Sequence, residues 1–174
     1  MSAPDPVVEL VETEVHDQIM AEADRIMALG EASETWAPHP VNQPTISAWL
    51  DAMQYDNERF RTGEAPPSMA QVWTMPGLGR KRADDDPLHS MMGILTGAGF
   101  TAVLGTNCEQ TYERYLRVDE QLRVTTSLDS VVGPKNTGMG LGYFVTSRNR
   151  WYVGDELVAT MLFRVLKFIP RGSS

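Results

Sequence analysis

The pairing of Asp86 with His89 has the residue types and the spacing of an acid–base pair at the start of a helix. An apolar segment, PLHSMMGILTGAGFTAVLG, begins at Pro87 directly after three aspartates. Proline in the first turn and acidic residues before it are typical of a helix N-terminus, where backbone N–H groups could also form an oxyanion hole. Helix capping and core packing explain the same two residues, and that interpretation is favoured over catalysis.

The other candidates point less directly to chemistry. His16 lies on the polar side of an acidic helix and His39 in a proline-bracketed loop, so both are expected at the surface. Cys108 has no histidine-rich surroundings and is expected to be a buried strand residue. The basic run at 80–82 could contact phosphate groups of a ligand, although three adjacent acids dilute its charge. GMGLG lacks a following helix and fails the test for a dinucleotide-binding motif. Neither a cofactor nor a metal is expected.

Composition restricts the classes of function. The chain has 174 residues, of which 42% are apolar and 22% charged, which fits one globular domain. A net charge of −8 argues against nucleic acid as a partner. One cysteine allows no internal disulfide, no apolar run is long enough to cross a membrane, and the acidic N-terminus does not resemble a signal peptide. A cytoplasmic location is therefore expected.

Helical spacing predicts two helices before the apolar segment. The first is an acidic amphipathic helix running to about Gly30, with apolar residues at Val8, Val11, Val15, Ile19, Ala23 and Ile26. The second begins at Pro44 and places Ile46, Trp49, Leu50 and Met53 on one face. AQVWTM is predicted as a short strand. PLHSMMGILTGAGFTAVLG is apolar or small on every side, so it is predicted to be a buried helix.

After that helix the period changes to two. Four strands are predicted, in CEQTYERYL, QLRVTTSLDSVV, GYFVTSRNRWYV and ELVATMLFRVLKFI. In QLRVTTSLDSVV, one face of the predicted strand carries Leu122, Val124, Thr126, Leu128, Ser130 and Val132. Gly154 and Asp155 predict a tight hairpin, and GPKNTG predicts a longer one. The predicted fold is therefore α+β: a single hotdog, with an antiparallel sheet wrapped around one long buried helix and an extra N-terminal helix.

Four stretches between residues 39 and 169, in the same order along the chain, resemble the MaoC-like dehydratase N-terminal group of hotdog proteins. They are PVNQPTISAWLDAM, APPSMAQVWTMPG, YERYLRVDEQLRVTTSLDSVVGPK and GYFVTSRNRWYVGDELVATMLFRVLKF. Within that family, the chain is similar to the MaoC-like half of the larger subunit of actinobacterial steroid side-chain enoyl-CoA hydratases. The expected divisions are a helix and linker at 1–38, a hotdog domain at 39–170 and a tail at 171–174. The resemblance implies a further OB-fold type domain that docks an aldolase.

The resemblance also implies that the catalytic loop is degenerate. Catalytic relatives carry Gly-Asp-x-Asn-Pro-(apolar)-His, in which Asp and His activate the water that adds to an enoyl thioester. In AMQYDNERF the Asp position falls on Tyr55, the His position on Phe60 and the Asn position on Asn57, while Asp56 is one position displaced. Neither Tyr nor Phe acts as a base near neutral pH. Tyr55 and Phe60 are therefore expected to be packed structural residues.

Three functions follow from these readings. The first is a non-catalytic hotdog subunit of a heteromeric 2-enoyl-CoA hydratase that adds water to a steroid-CoA side chain, with a homologous partner subunit supplying the Asp and His. The second is a scaffold that tethers an aldolase. The third is a homo-oligomeric thioesterase or hydroxyacyl dehydratase that uses Asp86 and His89. The predicted contacts to an acyl-CoA substrate are Asn57, Met69, Trp73, His89 and Met92.

Overall fold

A computed structural model describes residues 13–78 and 85–171 of the chain. Five antiparallel strands form the main sheet, in the spatial order β1-β5-β6-β7-β3. Their bounds are β1 Ala32–Trp36, β3 Ala102–Tyr112, β5 Leu122–Asn136, β6 Gly140–Val153 and β7 Glu156–Pro170. Two-residue strands β2 (Glu64–Ala65) and β4 (Leu116–Arg117) form a separate ladder. β5, β6, β7 and the tight hairpin at 154–155 confirm the predictions. The predicted strand CEQTYERYL is right only in part, since β3 runs from Ala102 to Tyr112, and β1 was not predicted.

Five helices cover or flank the sheet. They are α1 Thr13–Met27, α2 Gln43–Ala52, α3 Glu58–Arg61, α4 Ala70–Thr74 and α5 Pro87–Gly97. The α2 helix begins where the Asn42 side chain accepts a hydrogen bond from the Thr45 N–H at 3.0 Å. In α5, Asp86 takes the same capping role toward the His89 N–H. Among the described residues, no helix has the length and hydropathy needed to cross a membrane.

The apolar core consists of two clusters rather than one. The first core cluster lies under α2, α3 and α4 and includes Ile46, Leu50, Phe60, Met69, Trp73 and Trp151. The second core cluster lies under α1 and α5 and includes Ile19, Ile26, Met91, Leu95, Tyr143 and Val145. Phe163 of β7 packs against both clusters. This arrangement is the predicted hotdog fold, with the sheet curved around α5.

Three predictions about local structure are wrong. AQVWTM is not a strand, since residues 70–74 form α4 directly after a 3-10 turn at Pro67–Met69. The predicted helix from Pro87 ends at Gly97, and Ala102 already lies in β3. The GPKNTG turn lies later than predicted, because β5 continues to Asn136.

A bulge in β5 also breaks the predicted alternation. The register against β6 shifts between Leu128 and Ser130, so Leu128 and Val131 are both buried. Val132, predicted on the same face as Leu128, is instead exposed. A bulge adds one residue to one strand and thereby inverts the side-chain phase beyond it.

The α5 helix is buried on one face and open on the other. Pro87, Met91 and Leu95 are buried, which agrees with the prediction for that face. Gly93 and Gly97 are exposed, and a Cβ atom at either position would meet nothing within 4 Å. The prediction that α5 is buried on every side is therefore wrong for the chain by itself. No described part of the same chain packs against Gly93 or Gly97.

Candidate ligand-binding cavity

A cavity of about 610 Å³ separates the two core clusters. Its walls are α4 and the segment after it, the first turns of α5, and the face of the sheet that these helices cover. Most of the walls are apolar, with side chains that include Met75, Leu88, Met92, Val124, Trp151 and Phe163. The Trp151 ring N–H donates to the Thr74 hydroxyl at 2.9 Å, which fixes α4 over the sheet. A volume of this size lies within the range of small-molecule sites.

Three polar side chains lie together on the sheet side of the cavity. Thr126 of β5 pairs with Asn149 of β6 in the sheet register, and Ser147 is the next residue on the same face of β6. The Thr126 hydroxyl donates to Asn149 Oδ1 at 3.0 Å. Ser147 is fully buried and donates to the Phe163 carbonyl at 3.5 Å. We call Thr126, Ser147 and Asn149 the polar floor.

The sequence contains a signal for the polar floor that was not used to predict a site. Period-two alternation in GYFVTSRNRWYV places Ser147 and Asn149 on the same face as Tyr143, Val145 and Trp151. A core-facing strand that is apolar at both ends and polar in the middle places hydrogen-bonding groups where a hydrophobic core excludes them. Such an interruption indicates a ligand site or a water-filled space rather than continuous packing.

Asp86 and His89 both line the cavity, at the end of α5 nearest to α4. The Asp86 carboxylate accepts from the backbone N–H of His89 at 2.9 Å, which confirms the predicted helix cap. The His89 side chain is exposed, so the core packing expected of it is wrong. Within residues 13–78 and 85–171, no hydrogen bond joins the Asp86 carboxylate to the imidazole of His89.

The degenerate loop lies away from the cavity walls. Phe60 is only 5% exposed and packs edge-to-face on Tyr115, with ring centroids 5.7 Å apart. Tyr55 is 47% exposed, so the expectation of a packed residue is wrong for this position. Asn57 caps α3 by accepting from the Arg59 N–H at 3.0 Å. None of Tyr55, Asn57 and Phe60 is among the residues that line the cavity.

The remaining predicted substrate contacts divide between cavity and core. Met92 lines the cavity together with His89. Met69 and Trp73 are buried in the first core cluster and do not line it. The Trp73 ring N–H is buried without a hydrogen-bond partner among the described residues. The structure therefore brings together two of the five predicted contacts, and the role of all five remains a prediction.

Two of the isolated candidates differ from expectation. His16 is half-buried, and its Nδ1 lies 3.0 Å from the hydroxyl of Tyr143, so the prediction of a surface decoration is wrong. Tyr143 is fully buried, and this burial raises the pKa of its phenol to about 12. Cys108 lies in a strand as predicted, but it is exposed rather than buried. His39 lies on the surface as predicted, and the basic run 80–82 is outside the described residues.

β3 is an edge strand with an open side. It pairs with β7 and has no second neighbour among the described strands. Residues 103–111 are all exposed, including Val103 and Leu104. A long exposed edge presents unpaired N–H and C=O groups that another strand can satisfy. The open face of α5 with Gly93 and Gly97 lies on the helix that precedes this strand.

Metal chemistry has no candidate cluster in the described part of the chain. No group of three or more His, Cys, Asp or Glu side chains there could hold a metal ion. The cavity presents apolar walls, the polar floor and the Asp86–His89 turn. It can bind a bulky apolar ligand and orient it by hydrogen bonds.

The fold defines the chain as a hotdog protein, and the cavity is its candidate small-molecule site. Residues 28–161 match the family described as FAS1-like, dehydratase domain region, and the chain belongs to that family. This result confirms the resemblance to hotdog dehydratases.

Two relatives and one solved structure extend the comparison. The chain is 44% identical over 160 residues to the 3-oxo-4,17-pregnadiene-20-carboxyl-CoA hydratase alpha subunit of Mycobacterium tuberculosis, covering 86% of this chain and 51% of that protein. It is 31% identical over 147 residues to a probable enoyl-CoA hydratase alpha subunit of Thermomonospora curvata, covering 76% of this chain and 46% of that protein. The chain thus spans about half the length of these curated relatives.

The solved structure is the ChsH1-ChsH2 complex of Mycobacterium tuberculosis. One of its chains superposes with a TM-score of 0.85 at 42% identity, covering 90% of this chain and 99% of that one. The hotdog architecture predicted from the sequence is therefore confirmed over nearly all of the compared chain.

Proposed function

We propose that the chain is the substrate-holding hotdog of a heteromeric 2-enoyl-CoA hydratase that acts on the side chain of a steroid-CoA thioester. A homologous partner subunit supplies the Asp and His that activate water. The relatives named as hydratase alpha subunits support the reaction class, and the relative named for a pregnadiene carboxyl-CoA supports the substrate class.

One observation carries the assignment of a non-catalytic role. The chain has a large cavity, yet the loop at the dyad positions contributes no acid or base to it. Phe60 is packed into the first core cluster, and Tyr55 is not among the residues that line the cavity. A general base must come within hydrogen-bond reach of the proton that it removes. The loop meets neither the chemical nor the geometric requirement.

The open edge of β3 supports a partner that is itself a hotdog. A strand from a second sheet can continue the ladder beyond β3, and the exposed Val103 and Leu104 would then be covered. The glycines on the open face of α5 allow another backbone to approach closely. A solved relative that is a two-component complex supports the same arrangement.

The chemistry of such a pair divides between the two halves. The partner's base removes a proton from water, the water oxygen bonds to the β-carbon of the enoyl thioester, and a proton is returned to the α-carbon. This chain binds the ring system in its apolar cavity, orients the side chain toward the partner and excludes bulk water. Binding energy gained from the non-reacting rings is then available for positioning at the reacting carbons.

The test is a hydration assay of the chain alone and of the reconstituted pair. The isolated chain is expected to show only background hydration, while the pair is expected to turn over. Sedimentation of the mixture should show a complex, since specific interfaces bury at least about 1,000 Å². Substantial turnover by the isolated chain would contradict the proposal, as would a chain that never joins a hotdog with an intact dyad.

A second candidate is retained because Asp86 and His89 line the same cavity. In this alternative, the chain is a homo-oligomeric thioesterase or dehydratase that uses these two residues. The isolated chain would then be active, and Asp86→Ala or His89→Ala would each abolish activity. His89→Gln is the informative control, because it leaves the cap of α5 unchanged: that bond uses the backbone N–H of residue 89.

The aldolase tether stays a prediction. It would require a further domain, and the described hotdog contains no feature that bears on it. Pull-down of a candidate aldolase with a longer chain that includes the additional domain is the measurement that checks it.

A further inference from the structure

The polar floor carries a hydrogen-bonding group that the protein leaves unused. The Thr126 hydroxyl donates to Asn149 Oδ1 at 3.0 Å, so the amide nitrogen lies on the other side of the Asn149 side chain. Among the described residues, that nitrogen has no hydrogen-bond partner, although Asn149 lines the cavity. The floor therefore offers an N–H donor to whatever occupies the space.

The surroundings make this donor selective. The Thr126 hydroxyl is committed to Asn149, and the Ser147 hydroxyl is directed to the Phe163 carbonyl at 3.5 Å. Val124, Trp151 and Met161 surround the floor with apolar surface. Covering an amide N–H with an apolar ligand costs free energy unless the ligand provides an acceptor. A carbonyl oxygen matches this site because it accepts and brings no hydrogen of its own.

We infer that the Asn149 amide is a specificity-determining donor for a ketone on the ring system that occupies the cavity. This inference rests on the proposed function for the identity of the occupant as a fused-ring ligand. It adds a recognition group to that function: the cavity selects rings by an oxygen as well as by their size. Thr126 is the positioning residue that sets which end of the amide faces the ligand.

Calorimetric titration of the reconstituted pair tests the inference. The probes are a steroid carboxylic acid with a ketone on its terminal ring and the matched acid without oxygen at that position. The wild-type protein should prefer the ketone by about tenfold, the value of one neutral hydrogen bond. Asn149→Leu should remove the preference, chiefly by strengthening binding of the oxygen-free acid, which then no longer covers an unpaired N–H.

Three further variants protect the result against misfolding and non-specific effects. Asn149→Asp has nearly the same shape, can still accept from Thr126, and lacks the donor, so it should also lose the ketone preference. Thr126→Val should reduce the preference because the amide is free to turn. Thr125→Val is the matched control: Thr125 is the neighbouring buried threonine, bonded to Glu31 rather than lining the cavity, and its loss should leave the preference at about tenfold.

The outcomes separate this inference from the proposed function. Equal affinity of the wild type for both acids, no binding of either acid, or a preference that survives Asn149→Leu and Asn149→Asp would overturn the inference. Hydration of both matching CoA thioesters at equal efficiency would do the same while leaving the proposed function intact. An Asn149-dependent ketone preference in a pair that hydrates neither thioester would support the inference and refute the proposed function.

Discussion

The two core clusters differ in the side chains that they bury. The first core cluster contains Phe60, which occupies the position where the resemblance expects a catalytic histidine and packs edge-to-face on Tyr115. The second core cluster contains the Tyr143 phenol, which reaches out of the apolar core to His16 on α1. A buried aromatic ring on one side and a buried phenol with a polar partner on the other flank the cavity between the two clusters.

The positions aligned with the dyad and the large cavity lie in different parts of the fold. Neither Tyr55 nor Phe60 lines the cavity between α4, α5 and the sheet. Four experiments test this separation, beginning with the cavity and ending with the smallest effect inside one cluster.

Filling the space should have the largest effect. Val124→Phe adds an aromatic ring to the cavity wall and should lower hydration of a ring-bearing enoyl-CoA by the pair at least about 200-fold, since displacing even one ligand methylene costs about 10- to 200-fold. Hydration of a short linear enoyl-CoA should change little. Kinetics with both substrates check the prediction, and Val132→Phe on the exposed part of the same strand is the control.

If Val124→Phe affects both substrates equally, or if Val132→Phe reproduces the selective loss, the cavity is not where the rings bind.

Restoring the histidine tests the first core cluster. Phe60→His exchanges a buried ring for a polar one and should lower the free energy of unfolding by about 2–3 kcal/mol. Tyr55→Asp should cost less than about 0.5 kcal/mol because its side chain is largely exposed. Denaturant unfolding of the two single variants and of the double variant checks both values. The double variant should gain no hydratase activity, since neither position lines the cavity.

A Phe60→His variant as stable as the wild type would contradict the packing of this position. A double variant that doubles turnover per complex would show that this loop borders a usable site.

Removing the histidine of α1 tests the second core cluster. His16→Ala leaves the buried Tyr143 hydroxyl without its partner and should destabilise the chain by about 1–2 kcal/mol. His16→Asn retains a polar group and should recover part of the loss. Thermal unfolding of the variants in the Tyr143→Phe background gives the coupling: His16→Ala should cost clearly less there, because the hydroxyl is already absent.

The pH dependence of stability should show the smallest effect. Burial raises the pKa of Tyr143 to about 12, so the folded chain keeps its proton where the unfolded chain, with a pKa near 10, loses it. The stabilising contribution is complete below about pH 10 and is lost as the pH rises toward 12. Between pH 9 and 11 the wild type should lose about 1 kcal/mol more stability than Tyr143→Phe. Parallel pH profiles of the two proteins would contradict the assignment.

Particular residues show how far the sequence predicted the fold. Period-two patterns revealed β5, β6 and β7, and Gly154–Asp155 located their tightest turn, because each strand has at least one buried face. The strand β1 was missed, since ASETW is short and mostly polar and is a strand only because it pairs with β5. The α4 helix was mistaken for a strand because Val72, Trp73 and Thr74 favour strands locally, while packing against Trp151 decides otherwise.

The candidate site was less accessible to sequence reasoning. His89 and Met92 were found because they follow a recognisable helix start. Thr126 and Asn149 were missed because their pairing depends on the β5–β6 register, which a bulge shifts only two residues further on. Tyr143 shows the same limit from the other side: its contact with His16 spans 127 positions in the sequence.

The contact of Phe163 with both core clusters has a consequence for how the chain opens. Because the cavity interrupts the packing between the clusters, we expect the helices over each cluster to open separately, with the sheet and Phe163 as the connection between them. Native-state hydrogen exchange should therefore give α1 and α5 one opening free energy and α2 and α4 another. An occupant of the cavity touches both units, so it should raise both opening free energies by the same amount and slow exchange in α1, α2, α4 and α5 together.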